Sequence, residues 1–357
     1  MDNKDIVIVS TGMVTSVGFN SAQTAANVRA KVARFQGISF VNESSDPFVA
    51  ATIARDFLGE LPEAIAHRDY FTRRRGLLLR LAGVALRDCL AVIRGRVVKP
   101  PLFYAIPEYE NTQPINGDSL LDDLATLHPG VFDRTESKVS GRGRAGGLQA
   151  LGEAIRTVQS RKTDFALVGA SDSYVDMTIL LTLDWDKRCK HESHPDSFVP
   201  GEGAGFLLIC SREAAQKAGL EIIANVGPVA EGQEPGYWWW LDEPYLGEGL
   251  ASTVQALLAA GAPPSPFKEV YSTMNGESYW AKEWGVTRIR NADAFAEKEN
   301  MNHPAEFYGD PGAASGLLLV ALAAIGQKKG YVESPALVYA SSDFGGRAAT
   351  WVASTKS

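Results

Sequence analysis

The chain has 357 residues, 45% of them apolar and 22% charged, with a formal net charge of -7. That is an ordinary globular mix, long enough for about two domains at roughly 150 residues each. The acidic balance and the short basic runs, such as FTRRRG at 71–76, exclude the clustered basic face of a nucleic-acid binder, and no apolar run reaches the ~18 residues of a membrane span.

DIVIVS (5–10) reads as a buried strand with acids beside its lysine, not as a secretory leader. A helix follows over about 21–32. Helical spacing of Leu, Ala and Val returns over 70–93, where the arginine run reads as a solvated helix face. PLFYAIPE (101–108) is a strand, and 108–130 reads as a long surface connection. GGLQALGEAIRTVQ is an amphipathic helix with Leu148, Leu151, Ile155 and Val158 as its apolar stripe. DFALVGASDS and AGFLLIC are strands, and 212–219 is a helix closed by glycine.

From Leu220 the order repeats. EIIANVGPVA is a strand, GEGLASTVQALLAAGA a helix, KEVYSTMN a strand and GAASGLLLVALAAIGQKKG a helix, with ALVYASSD and ATWVAS as the last strands. The alternation predicts an α/β protein whose sheets are covered by helices, in two similar halves at 1–219 and 220–357. Cys89, Cys189 and Cys210 are odd in number and lack metal-type spacing. They predict a reducing, cytoplasmic setting with neither disulfide nor metal.

Gly141-Arg142-Gly143-Arg144-Ala145-Gly146 matches GxGxxG, but FDRTESKVS before it reads as a poor central strand, which argues against a dinucleotide site. A generic anion at this helix N-terminus fits the free N–H groups better. GEGAG (201–205) runs directly into a buried strand, where glycines let backbones approach. Together with TGMVTSVG (11–18), YGDPGAASGLLLVALAAI (308–325) and SSDFGGRAATWVAS (341–354), it resembles the β-ketoacyl synthases of the thiolase superfamily. The resemblance covers most of the chain. It implies a thiolase-like fold of two βαβαβαββ halves in five layers, with no cofactor.

The resemblance also implies where chemistry would sit. In that family a nucleophilic cysteine occupies an elbow before a helix, where the dipole and backbone N–H groups lower its pKa and bind the thioester oxyanion. Laid along RAGGLQALGEA, that position is Arg144, and a guanidinium cannot carry an acyl group. The two family histidines fall on Asn275 and Gly309, the lysine at about Pro304, and the pantetheine-holding threonines on Glu277 and Tyr279. His303 is close in sequence and reads as an ordinary surface histidine, the alternative being that it compensates for the lost histidines. No catalytic residue is therefore expected. The altered motifs bring in Glu277, Asp310 and Asp343, the last beside Phe344. A buried arginine must be paired. At least one of these carboxylates is expected to hydrogen-bond Arg144 as an ion-pair plug, the alternative being an anionic ligand there.

GYWWWLDEPY (236–245), with Tyr237, Trp238, Trp239 and Trp240, and MNGESYWAKEWG (274–285), with Trp280 and Trp284, are candidate interface segments. The alternative for the first is a core cap. The second is similar to degenerate ketosynthase-like proteins encoded beside bacterial type VI secretion effectors. The resemblance thus implies a pseudoenzyme that acts as an adaptor or scaffold, or a chain-length-factor-like subunit. Its partner would be a secretion effector, a ketosynthase or an acyl carrier protein. Homodimerisation is expected through an edge strand near 164–170. Acyl transfer from another nucleophile, such as Ser140, is the enzymatic alternative. It is weakened because catalytic groups that act as a unit lose roughly 10⁶ in rate together.

Overall fold

The computed structural model describes residues 5–42, 45–68, 72–91, 99–109, 114–191, 193–237 and 244–355. The first part of the chain forms β1 (Ile6–Val14), α1 (Ser21–Arg29), β2 (Gln36–Val41), β3 (Pro47–Ala50), α2 (Glu63–Ala66), α3 (Arg73–Leu90) and β4 (Pro101–Ile106). It continues with α4 (Gly117–Leu127), β5 (Asp133–Arg142), α5 (Gly143–Gln159), β6 (Phe165–Ser173), α6 (Met177–Trp185), β7 (Glu202–Ser211) and α7 (Arg212–Lys217). After these come β8 (Ala224–Val226), β9 (Ala230–Gln233), α8 (Glu248–Ala260), β10 (Phe267–Ser272), α9 (Ser278–Arg290) and β11 (Phe295–Asn302). The chain closes with α10 (Ala305–Tyr308), α11 (Ser315–Lys329), β12 (Ala336–Ser341) and β13 (Gly346–Ala353).

The strand order β5-β4-β6-β7-β1 is mirrored by β11-β10-β12-β13-β8. In each set the three outer strands are parallel and the next two are antiparallel. The two sets join where β1 meets β8, through Val7 opposite Asn225 and Ile8 opposite Ala224, giving one continuous sheet with β9 added beside β13. This is the βαβαβαββ pattern twice over.

Among the described residues, three of the four apolar clusters lie between the five layers; the fourth, around Tyr109, Tyr174 and Phe198, packs beside the loops. One lies outside β4, β6 and β7 under α3 and α4, and another lies outside β10 and β12 under α8. The largest lies between the two sheet sets and is filled by α5 and α11. A helix with apolar residues on every face belongs in such a middle layer, and Ser315 to Gln327 of α11 are all buried. The two middle helices meet closely: a Cβ on Gly147 would lie 2.9 Å from Leu317 Cγ.

Several expectations change. FDRTESKVS is a strand, β5; its polar character reflects its place at the outer edge of the first sheet set. The 108–130 connection contains α4, whose Asn116 cap accepts the Ser119 N–H. The 164–170 segment cannot offer a free edge, because β6 is hydrogen-bonded on one side to β4 and on the other to β7. The two ends of the main strand order are β5 and β11.

Candidate functional site

The loops after the parallel strands of both sheet sets converge on one place, the position where open α/β sheets present their functional side chains. Arg144 stands at the start of α5, directly after β5. Gly143 before it has φ +66°, a conformation natural to glycine, and a Cβ there would lie 2.5 Å from Glu108 Oε2. Asp310 precedes α11, Asp343 lies in the β12–β13 turn, and Asn275 and Glu277 follow β10. Tyr109 and Glu108 follow β4, and Arg188 follows α6.

Arg144 is fully buried. Its Nε donates to Asp310 Oδ2 at 2.6 Å and its Nη1 donates to Asp343 Oδ1. The rings of Tyr174, Phe198 and Trp280 stand 5.5–5.7 Å from its Cζ, a distance at which ring faces attract a cation. Arg188 forks twice. It donates to both oxygens of Glu277 at 2.6 and 2.9 Å and to both oxygens of Asp343 at 3.0 Å, and also to the Tyr109 hydroxyl at 2.8 Å. Such bidentate pairs are the strong form of charge-assisted hydrogen bond. The Asn275 amide donates to Asp310 Oδ2 at 2.9 Å and Glu277 Oε2 at 3.1 Å, tying the two acids together. Trp280 Nε1 donates to Glu277 Oε2 at 3.0 Å.

Burial pushes the Asp343 carboxyl up, but Arg144 and Arg188 outweigh it and hold the group below the usual carboxylate range. Burial also works against the charge on Arg144, and Asp310 and Asp343 overcome it. Glu108 differs. Its oxygens accept the N–H groups of Asp343 and Phe344, both at 3.0 Å, yet burial and the neighbouring Asp343 charge raise it to about 7.

The expected residues therefore divide. Arg144, Asp310, Asp343, Asn275 and Glu277 come together, with Glu277 on Arg188 rather than on Arg144. Gly309 supplies a left-handed turn before Asp310, with φ +71°. Phe344 packs at the rim against Tyr109, 44% exposed. His303 lies elsewhere, its Nδ1 bonded to Ser272 Oγ at 2.7 Å. Arg188, Tyr109 and Glu108 were missed in the sequence; they carry no motif, and only the fold brings them in.

The aromatic expectations need correction. Trp280 is buried inside the cluster, and Trp284 stacks on Tyr339 at 5.4 Å, so both are packing residues of α9. Tyr237 is half-buried, and its carbonyl accepts the Tyr279 hydroxyl. Trp238, Trp239 and Trp240 lie outside the described residues.

The GxGxxG loop does follow a strand, contrary to the sequence reading. The Glu108 carboxyl nevertheless stands directly against Gly143 of that loop, an acidic neighbour that disfavours an anion there. All three cysteines are buried thiols pushed up to about 12 by burial, the opposite of an activated nucleophile. The Ser140 hydroxyl is buried with no hydrogen-bond partner among the described residues, so no base activates it. Among the described residues no acid, histidine and cysteine cluster is arranged to hold a metal, and no helix is long and apolar enough to cross a membrane.

Comparison with known proteins places this geometry in context. No protein-family model matches the chain. A Streptomyces cyaneus protein described as polyketide beta-ketoacyl synthase 1 is 31% identical over 100 residues, 25% of this chain. The match spans 24% of that protein's length. The oxazolomycin ketosynthase domain of Streptomyces albus superposes with a TM-score of 0.78 at 13% identity, over 99% of this chain and 76% of that one. The ishigamide ketosynthase/chain length factor gives 0.79 at 14% identity, over 98% and 99%. A type II polyketide acyl-carrier protein in complex with its ketosynthase gives 0.76 at 16%, over 98% and 99%. The protein has the thiolase-like fold of the ketosynthases.

Proposed function

We propose that this protein is a non-catalytic ketosynthase-like subunit that works by binding another protein. The observation that carries the reading is Arg144. It occupies the position that the ketosynthase resemblance assigns to the nucleophile, it is 0% exposed, and its charge is consumed by Asp310 and Asp343. Each ion pair of the cluster joins the first sheet set and its loops to the second: Arg144 to Asp310 and Asp343, Arg188 to Glu277 and Asp343. The old reaction centre is in this reading a lock between halves. A buried pair is weak evidence for net stability but strong evidence against removing one partner.

The similarity to the ishigamide ketosynthase/chain length factor supports a ketosynthase as the partner, in the manner of a chain-length-factor-like subunit. The free edge of β5 offers the strand to which such a partner would add. Capture of the tagged full chain from its native cells, with cross-links read by mass spectrometry, tests this. A ketosynthase or acyl carrier protein cross-linked beside β5 is the expected result. Recovery of a secretion effector instead would make the protein an adaptor for secretion. Recovery of the chain only as a second copy of itself would leave a homodimer and remove the heteromeric reading.

A further inference from the structure

A cavity of about 370 Å³ opens between α1, the ends of β10 and β11, and α11, and no residue of the Arg144 cluster lines it. Its volume falls within the range of small-molecule sites. Val28, Phe307, Leu322 and Val332 give it an apolar wall, and Tyr331 adds an aromatic face.

Its charges are unevenly spent. Glu269 is buried and committed: its oxygens accept from the Asn300 and Asn302 amides at 3.1 and 2.8 Å and from the Glu333 N–H at 3.3 Å. The Arg29 guanidinium lies 4.5 Å above the Tyr331 ring and forms no ion pair with a described carboxylate. Lys31 likewise forms none among the described residues, leaving two cations without a carboxylate partner at the mouth, beside Glu306 at the rim and Glu269, held by neutral donors, on the buried wall.

His303 adds a donor. Its Nδ1 bonds Ser272 Oγ at 2.7 Å, and that oxygen also accepts the Met274 N–H at 3.4 Å. With the Ser272 hydroxyl donating to Nδ1, the neutral ring carries its proton on Nε2, which has no protein partner among the described residues. Burial keeps the imidazole neutral by lowering its pKa.

We propose that this cavity binds a small planar monocarboxylate. The carboxylate sits against Arg29 and Lys31, the ring packs on Tyr331 and the apolar wall, and His303 Nε2–H supplies an additional donor. The site is independent of the fate of Arg144, so it stands or falls apart from the reading above.

Ligand-observed NMR on the full chain tests it, with benzoate as the probe and benzyl alcohol as its neutral counterpart. Benzoate should bind at least about tenfold more tightly than benzyl alcohol. Arg29→Gln should erase that preference while leaving the weak binding of benzyl alcohol intact. Val28→Phe, which fills the cavity from the half-exposed face of α1, should remove both. Thermal melts of the two variants, both altered on the outer part of α1, verify that they are folded. No saturation transfer to benzoate, equal affinity for the two probes, or an undiminished preference in Arg29→Gln would each overturn the proposal.

Discussion

Arg144 cannot be shortened without leaving Asp310 buried with no cation against it and Asp343 with Arg188 alone, because both carboxylates are at most 2% exposed. Arg144→Ala, or Arg144→Cys, should cost about 3–5 kcal/mol of folding stability, read from urea denaturation. The cysteine variant should gain no acylation in return, because Asp343 and Asp310 beside the new thiol would raise its pKa. Glu108 gives the opposite sign. Its folded pKa of about 7 lies above its ordinary value, so its ionisation costs stability as pH rises from the ordinary carboxyl range through 7. Glu108→Gln should therefore stabilise the protein at pH 8 relative to pH 5, by up to about 3 kcal/mol at ~1.4 kcal/mol per pH unit. Denaturation of both proteins at the two pH values checks this, and an equal difference at both would contradict it.

At the level of elements, α9 shows why the site was only partly legible. The residues of SYWAKEWGVTRIR read as exposed aromatics and charges, yet the helix turns Trp280 inward onto Arg144 and Arg347 and Trp284 onto Tyr339. Helical periodicity was obscured because its buried positions include a glutamate, Glu283, paired with Arg347. Trp280→Ala should cost about 3–5 kcal/mol in stability, with no selective loss of partner binding in the folded fraction. A loss of partner without a loss of stability would restore the interface reading. The crossing of α5 and α11 is tighter still. Gly147→Val forces a side chain into Leu317 and should cost about 1–3 kcal/mol. Glycines, alternating strands and the buried α11 were readable because they obey local rules. Arg188 was not, because its Glu277 and Asp343 partners lie 89 and 155 residues away in the chain.

Across the whole molecule, ten of the strands read as two mirrored sets of five joined by the short β1–β8 pairing. Such a short seam has few backbone hydrogen bonds to hold it, so the middle helices and the ion pairs carry the association. This explains how a ketosynthase-like architecture accommodates buried charge where the resemblance places a reaction: Asp310, Asp343 and Glu277 sit on one side of the seam and their partners Arg144 and Arg188 on the other. The order of motifs in the sequence was enough for the fold. The free edge of β5 was not, because β5 looks like a loop until β4 is placed beside it.

Intact-mass spectrometry of the full chain after incubation with acyl-CoA and malonyl-loaded acyl carrier protein, with released CO₂ followed in parallel, tests the central claim most directly. The buried Arg144 cluster predicts an unmodified mass and no CO₂ above the protein-free control. A stoichiometric acyl adduct mapped to any residue of the chain, or CO₂ release that tracks its concentration, would contradict the account.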